Sequence, residues 1–410
     1  MIFKRLLTAY LILCPTFAII GMELRAAQEI FFQLASMALI IAGLSNIKRI
    51  RNAKENLWLS LFVGWAIAVY SYTRFVVGTN TLLNIFLGVA LYLTATSVLD
   101  KEDTRGIFKA ILFVCFLNAV YVAMQYFLKF DPIFEMRGQV GLVEPTGFFG
   151  IKANMGMYFA IAIPILAYFG LLVPLIAIMP IYLGVSSITA IAAPVAWIFY
   201  TFKVKKWLAL VVAPLVLAAG VLYIVQVDNP MGMQNTRPGM WKHALRIGLM
   251  RPVTGWGLDS FRNMYRSPIT KEFLFMSLGR NVNGKAVFVN EVVSEPTTKQ
   301  PVYLEATAKD LWDNAHCEVI QLVFEMGIVG LVLMILFLKG LVLRFIKAVK
   351  TKELMAVTAS LVALLIITLT QFPLHLSRIA HLVPILLALF IIHTERDENS
   401  NDNGIALAGA

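Results

Sequence analysis

Apolar runs of about 17–22 residues recur along this chain, each long enough for a helix to cross about 30 Å of hydrocarbon. Such runs cannot be strands of a soluble core, because a chain in lipid must satisfy every backbone polar group within its own segment. Composition agrees: 59% of residues are hydrophobic and 14% are charged, whereas a soluble protein keeps roughly a quarter charged. Mean hydropathy is +0.77. The pattern predicts an all-α polytopic membrane protein of about twelve transmembrane helices. The spans fall near 6–22, 28–45, 56–73, 77–98, 107–128, 152–169, 171–185, 187–202, 207–227, 316–338, 354–373 and 377–393. Pro174, Pro180 and Pro194 interrupt the pair around 171–202.

A net charge of +11 raises the question of a nucleic-acid partner. The basic residues argue against one, because they are distributed as a topology signal. Lys4 and Arg5, Lys48 to Lys54, Lys101 and Arg105, Lys203 to Lys206, and Arg344 to Lys352 all fall on one side of the alternating spans. That side is expected to be cytoplasmic, with both termini on it. Lys4 and Arg5 before an apolar stretch mimic a signal peptide, and Leu11 to Cys14 mimic a lipoprotein cleavage site. Leu13 is too large for that cleavage and a second span follows, so the first segment is expected to be a retained helix. Cys14, Cys115 and Cys317 make no disulfide framework.

The chain divides into residues 1–227 with nine spans, a long polar outer segment at 228–315, residues 316–394 with the last three spans, and a polar tail at 395–410. The tail is expected to be disordered and cytoplasmic. A connection as long as 228–315 is a place where function concentrates. The absence of an internal repeat disfavours the repeat-built transporter folds.

Within the long segment, Arg237 to Arg251 predict an amphipathic helix that Pro238 opens and Pro252 stops. Arg237, Trp241, Ala244, Leu245 and Gly248 share one stripe, with Arg246 nearly opposite Arg237. A helix N-terminus beside an arginine suits a phosphate; a surface helix with a snorkelling arginine has the same pattern. His316 sits at the outer boundary of the tenth span, where a neutral imidazole can accept a proton from a hydroxyl. A lone interfacial histidine also serves as an anchor or cap. Glu325 lies about 13 Å deeper and half a turn out of phase, and Glu318 shares its face, away from His316. Cys317 is expected near the outer water interface. Arg378 and His381 are ionisable residues at or inside the last span, hence functional candidates, with snorkelling to the outer interface as the alternative for Arg378.

Three stretches resemble the O-antigen ligase and O-antigen polymerase superfamily of membrane glycan transferases. They are Arg237-Pro-Gly-Met-Trp241 running on to Arg251-Pro-Val-Thr-Gly255-Trp-Gly257 and Phe261, Ala315-His316 running through Glu325-Met-Gly327 to Gly330-Leu331, and Gly147-Phe-Phe-Gly150-Ile-Lys152-Ala-Asn154. Gln371 to Arg378 is similar to the family's penultimate turn. Their order, the span count and the long outer loop agree with the family along nearly the whole chain. Two departures stand out: Cys317 replaces the family's Asn or Ser after the histidine, and Ile188 stands where many ligases carry an arginine.

The resemblance implies a GT-C-like fold in the bacterial inner membrane, with a long, partly helical periplasmic loop between helices nine and ten. It implies a metal-independent inverting glycosyltransferase that moves a glycan from undecaprenyl diphosphate to a hydroxyl of lipid A core or a growing glycan. A polymerase of the same superfamily is the alternative, and a lipid-linked glycan flippase or transporter is the rival class. His316 and Arg237 are the expected catalytic residues. Arg262, Arg266, Arg378, Lys152, Asn154 and Trp241 are the expected diphosphate or glycan contacts. No Asp-x-Asp and no His, Cys or carboxylate cluster with metal-ligand spacing occurs, so neither metal nor cofactor is expected.

Overall fold

The structure is a computed structural model that describes residues 2–17, 24–47, 54–73, 78–129, 131, 145–170, 237–261, 281–282, 285–286 and 315–395, with isolated positions between 173 and 200. The expected spans at 207–227 and most of those at 171–202 lie outside the described residues.

The described chain is helical almost throughout: α1 (Ile2–Thr16), α2 (Leu24–Leu44), α3 (Glu55–Thr73), α4 (Thr79–Val98), α5 (Thr104–Leu128), α6 (Lys152–Phe169), α7 (Arg237–Gly248), α8 (Glu318–Lys347), α9 (Lys352–Thr368), α10 (Ser377–Ala380) and α11 (Leu382–Thr394). A two-residue antiparallel ladder, Asn281–Val282 against Lys285–Ala286, is the one strand pairing among these residues. Among the described residues, five stretches are long and apolar enough to cross a membrane: Ala26–Leu44, Thr79–Val98, Lys101–Leu128, Glu318–Lys347 and Ser377–Thr394. The outer face of the bundle is apolar as well. Ile328, Val332, Ile335 and Val342 on α8, and Phe113, Phe116, Val120 and Phe127 on α5, are exposed at helical spacing. A water-facing helix is polar on that side, so these stripes suit lipid.

Packing gives the bundle two distinct ends. α6 lies along α9, α3 along α8, α4 along α2 and α11, and α1 contacts α2 and α5. At one end Lys4 pairs with Asp103 at 2.5 Å, Arg344 with Glu55 at 2.9 Å, Thr104 with His393 at 2.8 Å, and Tyr168 donates to Glu353 at 3.0 Å. Lys4, Arg105, Arg344 and Lys352 sit on helices that meet there, and Lys350 lies in the turn between α8 and α9. The opposite end gathers the α5–α6 loop, α7 with residues 249–261, the start of α8 and the 369–376 turn. The described parts of the stretches at 147–154, 237–261, 315–331 and 371–378 all reach this second end.

Candidate functional site

The loop before α6 is held by one polar face of α5. Asn118, Tyr121 and Gln125 follow the i, i+3, i+7 rule for one helix face. Asn118 Oδ1 accepts from the Phe148 N–H at 2.8 Å, and Gln125 Oε1 accepts from the N–H groups of Thr146 and Gly147 at 3.0 and 2.8 Å. Tyr121 stacks on Phe148, with centroids 4.6 Å apart. Tyr121 and Gln125 also donate to Asp131, at 2.5 and 2.7 Å, which gives this buried carboxylate neutral partners. From α2, Gln28 donates to the Phe148 carbonyl at 3.3 Å. Arg378 then donates to the Phe149 carbonyl, so the loop and the start of α10 are tied together.

The two glycine-rich motifs explain each other. Gly327 adopts φ +68° and ψ −170° inside α8, a conformation that is essentially glycine's alone. Such a break interrupts the i to i−4 ladder and frees backbone groups on both sides. The Phe324 carbonyl accepts from the Trp256 N–H at 2.9 Å and the Glu325 carbonyl from the Gly257 N–H at 3.0 Å. The indole of Trp65 on α3 donates to the Met326 carbonyl at 2.9 Å, and the Ile328 N–H donates to the Pro252 carbonyl at 2.7 Å. The Pro252-to-Gly257 loop therefore completes the broken helix. Gly255 permits this approach: a Cβ on it would stand 2.5 Å from the Glu325 carbonyl carbon. The Trp256 indole donates to the Ile247 carbonyl at 2.8 Å under the Arg251 guanidinium, which docks α7 on the same half-helix.

His316 lies just before α8, which starts at Glu318 rather than at 316. It adopts φ +48° and is half-buried, a backbone state that histidine visits more readily than most residues. Its ring meets Phe372 edge to face, with centroids 4.7 Å apart. The preceding residue is fixed on both sides. The Ala315 carbonyl accepts from the Trp241 indole at 2.8 Å, and its N–H donates to Gln321 Oε1 at 3.1 Å. Gln321 Nε2 in turn donates to Glu325 at 2.9 Å and lies 3.4 Å from His375 Nε2. His375 Nδ1 stands 3.0 Å from Glu318 Oε2, while Glu318 Oε1 accepts from the Leu374 N–H at 2.8 Å. Burial alone would lower the His375 pKa, but Glu318, Glu325 and Asp259 outweigh it and raise it to about 9.

Among the residues predicted from sequence, the structure brings His316 to Trp241 through Ala315, and Arg378 to the α6 motif through Phe149. Asn154 is buried in the first turn of α6. Arg378 is 3% exposed, which removes the snorkelling alternative. Arg237 opens α7 and Lys152 opens α6; their side chains, and all of Arg262 and Arg266, lie outside the described residues. Cys317, expected near the outer water interface, is itself covered by protein: its side chain is 5% exposed and packs with Ala244, Ile247, Phe261 and Phe324. Sequence reasoning assigned no role to Glu318, Gln321, Glu325 or His375. The first three share one face of α8, a visible signal, but their partner His375 comes from a turn far along the chain.

The arrangement offers a half-buried imidazole packed on Phe372, in the turn whose His375 pairs with Glu318, and a buried guanidinium three residues beyond His375. Among the described residues, no group of three or more His, Cys, Asp or Glu is arranged to hold a metal ion. No protein-family model matches this chain, and no curated protein matches it in sequence.

Proposed function

We propose that this protein is a multi-pass inner-membrane glycosyltransferase, similar to O-antigen ligases, acting on an undecaprenyl-diphosphate-linked glycan at the periplasmic face. The observation that carries this reading is convergence. The stretches at 147–154, 237–261, 315–331 and 371–378 are far apart in sequence, yet they interlock at one end of the bundle. The opposite end holds Lys4, Arg105, Arg344, Lys350 and Lys352, basic residues at the short connections, which by the positive-inside rule belong in the cytoplasm. On this reading twelve spans put both termini inside and residues 228–315 outside.

The chemistry asked of the protein is modest, since the diphosphate is already a good leaving group. The acceptor oxygen forms its bond to the anomeric carbon as the bond to the diphosphate oxygen breaks, with inversion. The bonding electrons leave on the lipid diphosphate, and His316 takes the acceptor's proton. Arg237, at the N-terminus of α7, meets the growing negative charge with its guanidinium and with free helix N–H groups. Positioning supplies most of the remainder.

Purified protein in nanodiscs, given an undecaprenyl-diphosphate-linked glycan and lipid A core, should release undecaprenyl diphosphate and glycosylate the acceptor, with activity surviving EDTA. Donor binding without transfer to lipid A core or to a second lipid-linked glycan would sink the reading. Translocation of the intact donor across a sealed vesicle would replace it with a transporter.

A further inference from the structure

We propose that Glu318 and His375 are positioning residues for His316, acting through Gln321 and Phe372. The inference rests on the transferase reading for what His316 does, though not for how it is held. Both oxygens of Glu318 are committed to one turn: Oε2 to His375 Nδ1 and Oε1 to the Leu374 N–H. Two contacts fix the turn's rotation as well as its distance. That rotation sets Phe372, whose ring edge packs against the His316 imidazole. From the other side, Gln321 fixes the backbone immediately before His316 while its amide nitrogen faces His375 and Glu325. His316 is thus gripped by two arms that share one carboxylate–imidazole pair.

Stability alone does not account for such a pair. Apolar side chains of similar volume hold a turn as well as a buried ion pair does, because the desolvation cost offsets the attraction. A pair with directional contacts adds a single defined geometry, and a base that must meet an incoming hydroxyl needs one. The ionisable groups that face His375 are Glu318 and Glu325 from α8 and Asp259 from the adjoining loop. Protonation of His375 also bears on Gln321: a neutral ring accepts from its amide at Nε2, whereas a charged ring presents a second donor there.

The test uses the full chain in nanodiscs with Glu318→Gln, His375→Gln and the double variant. Two readouts are taken: mass-spectrometric deuterium exchange at the C2 carbon of His316 across a pH series, and steady-state transfer kinetics. The single variants should shift the His316 exchange profile. They should also slow turnover by about tenfold to a hundredfold, the range for groups that orient a working side chain, with donor KM little changed. The double variant should lose no more than the worse single. An unchanged His316 profile in variants that melt at lower temperature would overturn the proposal and leave the pair merely structural. Additive losses would overturn it as well. If His375→Gln fails to fold, Glu318→Gln decides alone, since its amide still accepts from Leu374. If the wild type shows no transfer at all, the transferase reading fails while the exchange arm still decides the positioning role.

Discussion

A Cβ placed on Gly327 would stand 2.1 Å from the carbonyl oxygen of Val253. The two residues belong to α8 and to the loop that completes its break, and the short approach leaves no room for any side chain. Gly327→Ala adds backbone strain to a clash with main chain that is itself hydrogen-bonded on either side. We expect it to cost about 3 kcal/mol or more, read as a fall in the thermal or denaturant midpoint in detergent. Gly64 on α3 has open space around it, so Gly64→Ala should be neutral or stabilise by up to about 1 kcal/mol.

His375 makes stability depend on pH in a defined direction. Its pKa is raised from 6.5 to about 9 by Glu318, Glu325 and Asp259, against the opposing effect of burial. The folded state binds this proton more tightly than the unfolded chain. The contribution is therefore fully present below pH 6.5 and is lost as pH rises through about 9. Melting temperature should fall between pH 7 and 9.5, and the fall should be smaller in His375→Gln. Equal slopes in the two proteins would show that His375 is not the group titrating.

What the sequence makes legible here, and what it hides, divides along the range of the interaction. Span length and the charge pattern are local, and α2, α4, α5 and α8 lie where the apolar runs put them. The shared face of Glu318, Gln321 and Glu325 is equally local, one stripe of one helix. Hidden are the partners that only folding supplies. Nothing near Gly327 announces that the carbonyls it frees will be met by Trp256, Gly257 and Trp65. The polar residues of α5 look like liabilities in an apolar run until Asp131 and the loop at 145–150 return onto them. The covering of Cys317 is hidden for the same reason. Its distance from the start of α8 suggests water, but α7 covers it.

The cysteines give a clean test of that covering. Cys14, Cys115 and Cys317 are all buried and free, so the folded protein should resist maleimide on either side of a sealed vesicle. Denaturation should release all three thiols. Single cysteines placed at Leu249, exposed on the motif end, and at Val349, exposed on the basic end, should label from opposite faces. The motif end should be the outer one. Labelling of both from the same face would break the two-ended arrangement.

Arg237 and His316 should fail in different ways. Arg237 is assigned to the donor, so Arg237→Lys should stay impaired because an ammonium cannot reproduce the bidentate fork of a guanidinium. His316 is assigned to the acceptor, so His316→Ala should lose about 10²-fold or more in turnover while still binding the lipid-linked donor. The backbone at His316 complicates the second variant, since φ of +48° strains alanine. His316→Asn separates the two effects: asparagine tolerates the left-handed conformation but carries no imidazole. If Asn and Ala lose turnover equally, the imidazole is what matters; recovery in the Asn variant would mean that backbone geometry was the cause. Arg246→Ala is the control, on the exposed side of α7, and should be nearly silent. Full activity of both His316 variants in a purified assay would remove His316 from the chemistry and leave it as packing against Phe372.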